Sequence, residues 1–369
     1  GYDHKGGWQF ISSPVKDASV YDFAPQVADY DIFKYDGTQE LEWINLKNHA
    51  TDFEDTFLQG RGYIVSYEAE TSASFKGLLH GEKSFTFSEI KAKDENKHVN
   101  NFYLLGNPFS FNMDWSGLTT MNDVYNGYAT ISNVDGSYDY HTSGTIKVGD
   151  GFFVIATGSA PNMTYGTSTR NVKKEKHNSL DLIVSSFYGV DNAIINLDNN
   201  EDQGFKKINN LNEDISEIFI EKDGVSYGIY SFDENTNEVQ VSFQANKIGE
   251  HTISINPDGE FEYIILVDKF SGVETDMLKD NYTFRVMSTE TTLAGDIALT
   301  IYSTGSGDQR TISIFSFFSS PTIVWILVPR GPIQAPTEST DGSFDHTASF
   351  VLKPASRAID LISTIPSSI

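Results

Sequence analysis

Short apolar runs broken by glycine, proline and Asx-rich turns recur along the whole chain. Asn101-Phe102-Tyr103-Leu104-Leu105-Gly106-Asn107-Pro108-Phe109, closed by Asp114-Trp115, is the clearest of them. Four apolar residues run into Gly-Asn-Pro. This predicts a buried strand ending in a forced turn, because Pro108 has no amide to donate and also restricts Asn107. Trp8-Gln9-Phe10-Ile11-Ser12-Ser13-Pro14-Val15 repeats the pattern.

A matching motif lies downstream of each run. Gly60-Arg61-Gly62-Tyr63-Ile64-Val65 echoes Gly149-Asp150-Gly151-Phe152-Phe153-Val154. The prolines are 94 positions apart and the Gly-x-Gly motifs 89 apart. Two signals in one order at nearly one offset suggest an internal duplication. Each half would begin and end with a strand, and the two would share one core.

Further strands are expected at Asp31–Tyr35, Gly62–Tyr67 and Ser84–Phe87, with a brief helix near Phe53–Leu58. Asp36-Gly37 and Asp135-Gly136 are hairpin signals, since that dipeptide readily takes positive φ. The polar stretch Asn171–Asn178 marks a boundary after a first unit of residues 1–172. Residues 179–303 hold seven strand-like runs, from Leu180–Val184 to Ile297–Tyr302. That spacing suggests a β-sandwich with a jelly-roll or Greek-key path. Residues 304–369 carry six of the eleven prolines and only −1 of the net charge, and are expected to be a small β-rich or irregular segment. The fold class is therefore all-β, with tandem sandwich or jelly-roll-like units.

Composition supports this. Aromatics make up 13% of the 369 residues, and they favour strands. Cysteine is absent, so neither a disulfide framework nor a thiolate metal site is available. The net charge of −25 repels nucleic acid, and no basic stripe offers a footprint for it. The run Ile312–Val328 is interrupted by serines and Pro321, so no membrane span is expected.

No nucleophile elbow, His-Glu-x-x-His or phosphate-cradling Gly-Lys-Ser/Thr occurs. The eight histidines are scattered, with no ligand-like spacing. The chain is therefore expected not to be an enzyme. Asp198, Asn200 and Asp202 place oxygens at alternate positions, which suits calcium, and also suits a plain Asx-rich turn. No other cofactor is implied. Trp8, Trp43 and Trp115 are read as core before sugar platform. Tyr125, Tyr128, Tyr138 and Tyr140 lie in a turn-rich stretch. They are candidates for an exposed, ligand-binding aromatic face, against the plainer reading of half-buried strand tyrosines.

Three motifs together resemble a known group. Gly7–Pro14, Leu105–Phe109 with Asp114-Trp115, and Ile146–Val154 are similar to signatures of large secreted surface proteins of Bacteroidota. In those proteins they precede the C-terminal sorting domain of the type IX secretion system. Tyr263–Lys269, Gly272, Thr275-Asp276 and Asn281–Phe284 resemble a further run of the same proteins, with Met277 where leucine is usual. The resemblance spans roughly residues 7–303. It implies an extracellular or outer-surface location. The partners it implies are other surface proteins or glycans, and the secretion machinery through the C-terminal segment. A non-enzymatic adhesion or structural role is the first expectation, and a carbohydrate-binding module of a polysaccharide-processing protein is the alternative.

Overall fold

The computed structural model describes residues 7–24, 29–39, 42–68, 73–93, 100–166, 178–198, 203–233, 236, 238–268, 271–287 and 295–303. Over these the chain is all-β, and its helices are single 3-10 turns. One such turn, Ala50–Asp52, stands just before the expected Phe53–Leu58 helix, whose residues are not helical.

The first unit holds thirteen strands. They are β1 (Gln9–Ile11), β2 (Tyr30–Tyr35), β3 (Trp43–Asn45), β4 (Tyr63–Tyr67) and β5 (Phe85–Thr86), then β6 (Phe102–Gly106), β7 (Met113–Asp114), β8 (Leu118–Asn122) and β9 (Tyr128–Ile131). β10 (Tyr138–His141), β11 (Thr145–Ile146), β12 (Gly151–Ile155) and β13 (Asn162–Tyr165) complete it.

Two of its sheets repeat one plan. The orders are β1-β4-β2-β3 and β6-β12-β9-β10. The offsets of 94 and 89 equate Phe10 with Leu104 and Ile64 with Phe153. Phe10 pairs with Ile64 and Ile11 with Tyr63; Leu104 pairs with Phe153 and Leu105 with Phe152. The register is thus identical.

The halves also exchange contacts. Ile11 bridges Asp150 of the second half, while Leu105 bridges Arg61 of the first. The Ser12 amide donates to the Gly149 carbonyl at 2.7 Å, and the Gly106 amide donates to the Gly60 carbonyl at 3.0 Å. Each half therefore lends its Gly-x-Gly turn to the other half's first strand, an approximate two-fold relation. Gly60 and Gly149 both need glycine for φ, at +77° and +87°. Even the 3-10 turns correspond. Ser19 and Asp114 cap them through side-chain oxygens, and stand opposite Thr56 and Thr145.

The second unit comprises β14 (Asn178–Ser186), β15 (Gly189–Asp198), β16 (Gln203–Lys206), β17 (Glu217–Lys222), β18 (Val225–Asp233) and β19 (Glu238–Gln244). It continues through β20 (Gly249–Asp258), β21 (Phe261–Asp268), β22 (Val273–Asp276), β23 (Tyr282–Val286) and β24 (Gly295–Ser303). All eleven form one sheet, ordered β22-β21-β24-β19-β17-β18-β15-β14-β20-β23, with β16 attached to β18. Pairing is antiparallel except between β15 and β18. The sheet curls around a core that includes Leu180, Leu182, Ile195, Ile218, Ile253 and Phe284. The two end strands, β22 and β23, follow one another in sequence.

The units share a core. Phe205 of β16 is fully buried against Phe102, Tyr140 and Tyr125, at ring separations of 5.4, 5.8 and 6.3 Å. Gly228 permits this packing, since a Cβ there would stand 2.2 Å from the Tyr140 ring.

Candidate functional site

The edge strand β10 faces the second unit. The amides of Tyr138 and Tyr140 point away from β9 and would be orphaned at a buried edge. Two asparagine side chains satisfy them. Asn210 Oδ1 accepts from the Tyr138 amide at 2.8 Å, and Asn192 Oδ1 from the Tyr140 amide at 3.0 Å. Asn192 Nδ2 donates in turn to the Tyr140 carbonyl at 3.3 Å and to Asp181 Oδ1 at 2.9 Å. A side-chain amide here replaces a neighbouring strand. The equivalent edge, β3, is closed differently: its Asn45 carbonyl accepts from the His49 amide of the chain's own following turn at 2.9 Å.

Charged groups position these asparagines. Lys207 Nζ donates to Asp191 Oδ2 at 2.7 Å and to the Asn192 carbonyl at 2.9 Å. It also lies 4.7 Å from the centre of the Tyr140 ring, a cation–π contact. Asp191 further accepts from the Ile218 amide at 2.8 Å and from Asn210 Nδ2 at 3.2 Å. Glu217 Oε1 accepts from the Asn210 amide at 3.1 Å. The Tyr140 hydroxyl accepts from the Ile208 amide at 2.7 Å.

Three carboxylates thus gather about one ammonium at the junction. Burial, reinforced by the Asp191 charge, pushes Glu217 up to about 7. Burial also pushes Asp181 up to about 6, against the hydrogen bond from Asn192. Asp191 and Lys207 are buried, and every group of the cluster is engaged with its neighbours. Chemically, the arrangement can hold two elements together and bind or release protons. Asp191 and Asn192 enter the sequence as two polar residues beside the apolar run Ala193-Ile194-Ile195. That interruption is the signal by which the cluster is visible in the sequence.

The sequence-predicted sites fare differently. Tyr125, Tyr128, Tyr138 and Tyr140 are between 1% and 4% exposed, so they form no open aromatic face. Tyr125, Tyr138 and Tyr140 lie under the second unit, and Tyr128 packs at 4.5 Å on Trp115. The expectation of a sugar-facing surface on them is corrected: Tyr125, Tyr138 and Tyr140 are covered from far along the chain, and Tyr128 by Trp115 and His141. Trp8 and Trp115 are core residues, and Trp43 packs partly buried against the same layer. Asn200 and Asp202 lie outside the described residues. Asp198 ends β15 in register with Asp233. Among the described residues no group of three or more acidic or histidine side chains is placed to hold a metal. None of their helices is long and apolar enough to cross a membrane.

Large apolar side chains are exposed at two turn clusters. At one end of β14, β20 and β23 stand Phe187, 94% exposed, with Val190, Ile248 and Met287. Val134, 84% exposed, joins them from the β9–β10 turn, because Asp135 Oδ2 of that turn accepts from the Val190 amide at 3.2 Å. The second cluster surrounds the Pro14 and Pro108 turns and holds Leu58, Leu78, Leu79, Phe111 and Val148. Ser110 Oγ ties these turns together by donating to the His80 carbonyl at 3.1 Å, as does Gln59 Nε2 to the Pro108 carbonyl at 3.0 Å.

Comparison of the chain with known protein families, with curated proteins and with solved structures found no match.

Proposed function

We propose that this chain is a non-enzymatic secreted or cell-surface β-protein with an adhesive or structural role. The observation that carries the reading is Phe187. Phe187 stands at a two-residue hairpin tip, outside the core, among other exposed apolar side chains, and a contiguous patch of that kind marks a contact surface. Val134 and Val190 beside it widen the apolar contact to both units. The titratable cluster supports the same reading, because its groups brace the two asparagines that join the units. The resemblance to secreted Bacteroidota proteins supports the location and a sorting role for the C-terminal segment.

Carbohydrate binding is the second reading, favoured by the Phe187–Tyr188 pair, whose rings meet edge-on at 5.4 Å. A glycan array and a panel of immobilised surface proteins separate the two. Capture by proteins with no glycan signal supports adhesion, whereas glycan binding lost in Phe187→Ser supports the second. Turnover of a polysaccharide or peptide substrate, abolished by one Asp or Glu substitution, would overturn both.

A further inference from the structure

We propose that the carboxylate cluster at the junction is a pH-set latch, which holds the two units firmly in mildly acidic surroundings and loosens as the pH rises to neutral. Asp181 comes from β14, Asp191 from β15, Glu217 from the start of β17 and Lys207 from the segment after β16. β10 contributes Tyr138, Tyr140 and Asp139, the last adding its charge to that felt by Asp181. One cation thus faces three acids, Asp191 buried and Asp181 and Glu217 half-buried. With all three ionised, Asp191 and Glu217 repel one another through their shared partner Asn210, whose Oδ1 is the clamp on Tyr138. A proton on Glu217 removes that repulsion and leaves its hydrogen bond to the Asn210 amide available. A proton on Asp181 likewise removes its repulsion with Asp139 and leaves it able to accept from Asn192 Nδ2.

The direction follows from linkage. The closed junction keeps protons that the opened one releases at ordinary carboxylate values. Opening therefore becomes easier between those values and the raised ones, about 7 for Glu217 and about 6 for Asp181, and levels off above neutral. Each proton released makes opening at most about tenfold easier per pH unit within its window.

Hydrogen exchange of the Tyr138 and Tyr140 amides reads the clamp directly. Corrected for intrinsic exchange, protection is expected to fall steadily from pH 5 to 7 and to level off by pH 8. In Glu217→Gln the fall between pH 6 and 7 is expected to vanish. In Asp181→Asn that part remains and the part below pH 6 shrinks. A wild-type profile without pH dependence, or an unchanged slope in Glu217→Gln, would overturn the proposal. So would a Glu217 carboxyl carbon that titrates at its ordinary value in the folded chain, a measurement that needs no variant.

Discussion

Asn192 closes on Tyr140 from the other unit, accepting from its amide at 3.0 Å and donating to its carbonyl at 3.3 Å. One side chain thereby ends a sheet that would otherwise present an unpaired edge. It also fixes where the two units meet, because hydrogen bonds of this geometry tolerate little sliding.

Removing that side chain strands both backbone groups. Asn192→Ala is expected to destabilise the protein by about 2–4 kcal/mol, since each orphaned buried group costs about 1–3 kcal/mol. Asn192→Asp is expected to be worse at neutral pH, because it sets another carboxylate beside Asp181. Urea denaturation at fixed pH measures both.

Phe205 is the apolar counterpart of that clamp. Phe205→Ala leaves a cavity between Phe102, Tyr125 and Tyr140, and is expected to cost about 3–5 kcal/mol. Limited proteolysis should then cut between the units before it cuts within either. Cleavage spread evenly over the chain would contradict a shared core.

His251 gives the second unit its own acid sensitivity. It is buried, with Nε2 2.8 Å from Ser216 Oγ and its ring stacked on Phe284. Burial lowers its pKa below the ordinary value. It is neutral when folded and takes a proton when unfolded. Its contribution is complete above about pH 6.5 and is lost as the pH falls through that value toward the depressed one. His251→Phe is expected to flatten this part of the stability profile, measured by thermal melts from pH 5 to 7.5. The slope is opposite in sign to that of Glu217, so the two are separable.

The exchange between the repeated halves leaves no room at Gly106. A Cβ there would stand 2.1 Å from Ser12 Cβ and 2.7 Å from the Arg61 carbonyl oxygen. Gly106→Ala is expected to destabilise by at least about 1–3 kcal/mol. Gly81→Ala, with nothing within 4 Å, is expected to change stability by less than about 0.5 kcal/mol. Equal effects would argue against the close crossing.

Phe187 is expected to separate folding from contact. Phe187→Ser should leave stability within about 0.5 kcal/mol of the parent, because the ring is exposed. Capture on surface proteins or glycans should fall. An unfolded variant would show instead that the tip is structural.

Much of the first unit is legible in the sequence because its punctuation acts on the backbone locally. Pro14 and Pro108 end strands wherever they stand, and Gly60 and Gly149 hold positive φ that other residues resist. Those four positions expose the repeat. The tyrosines were not legible in the same way. Tyr138 and Tyr140 share one face of β10, and alternation marks that face as apolar without naming its cover. Phe205, which covers the Tyr140 ring, and Asn192 and Asn210, which close the strand's edge, arrive 52 to 72 positions later.

By itself, then, the sequence determined the all-β class, the turns and the pairing grammar of each half, since these follow from φ limits and from period-two patterning. Tertiary structure alone decided that the Gly-x-Gly turns cross over and that the second unit rolls as one sheet. It alone decided that the aromatic face lies inside and Phe187 outside. The physical reason is that burial depends on what arrives from elsewhere in the chain, and no local propensity encodes the arrival of a distant strand.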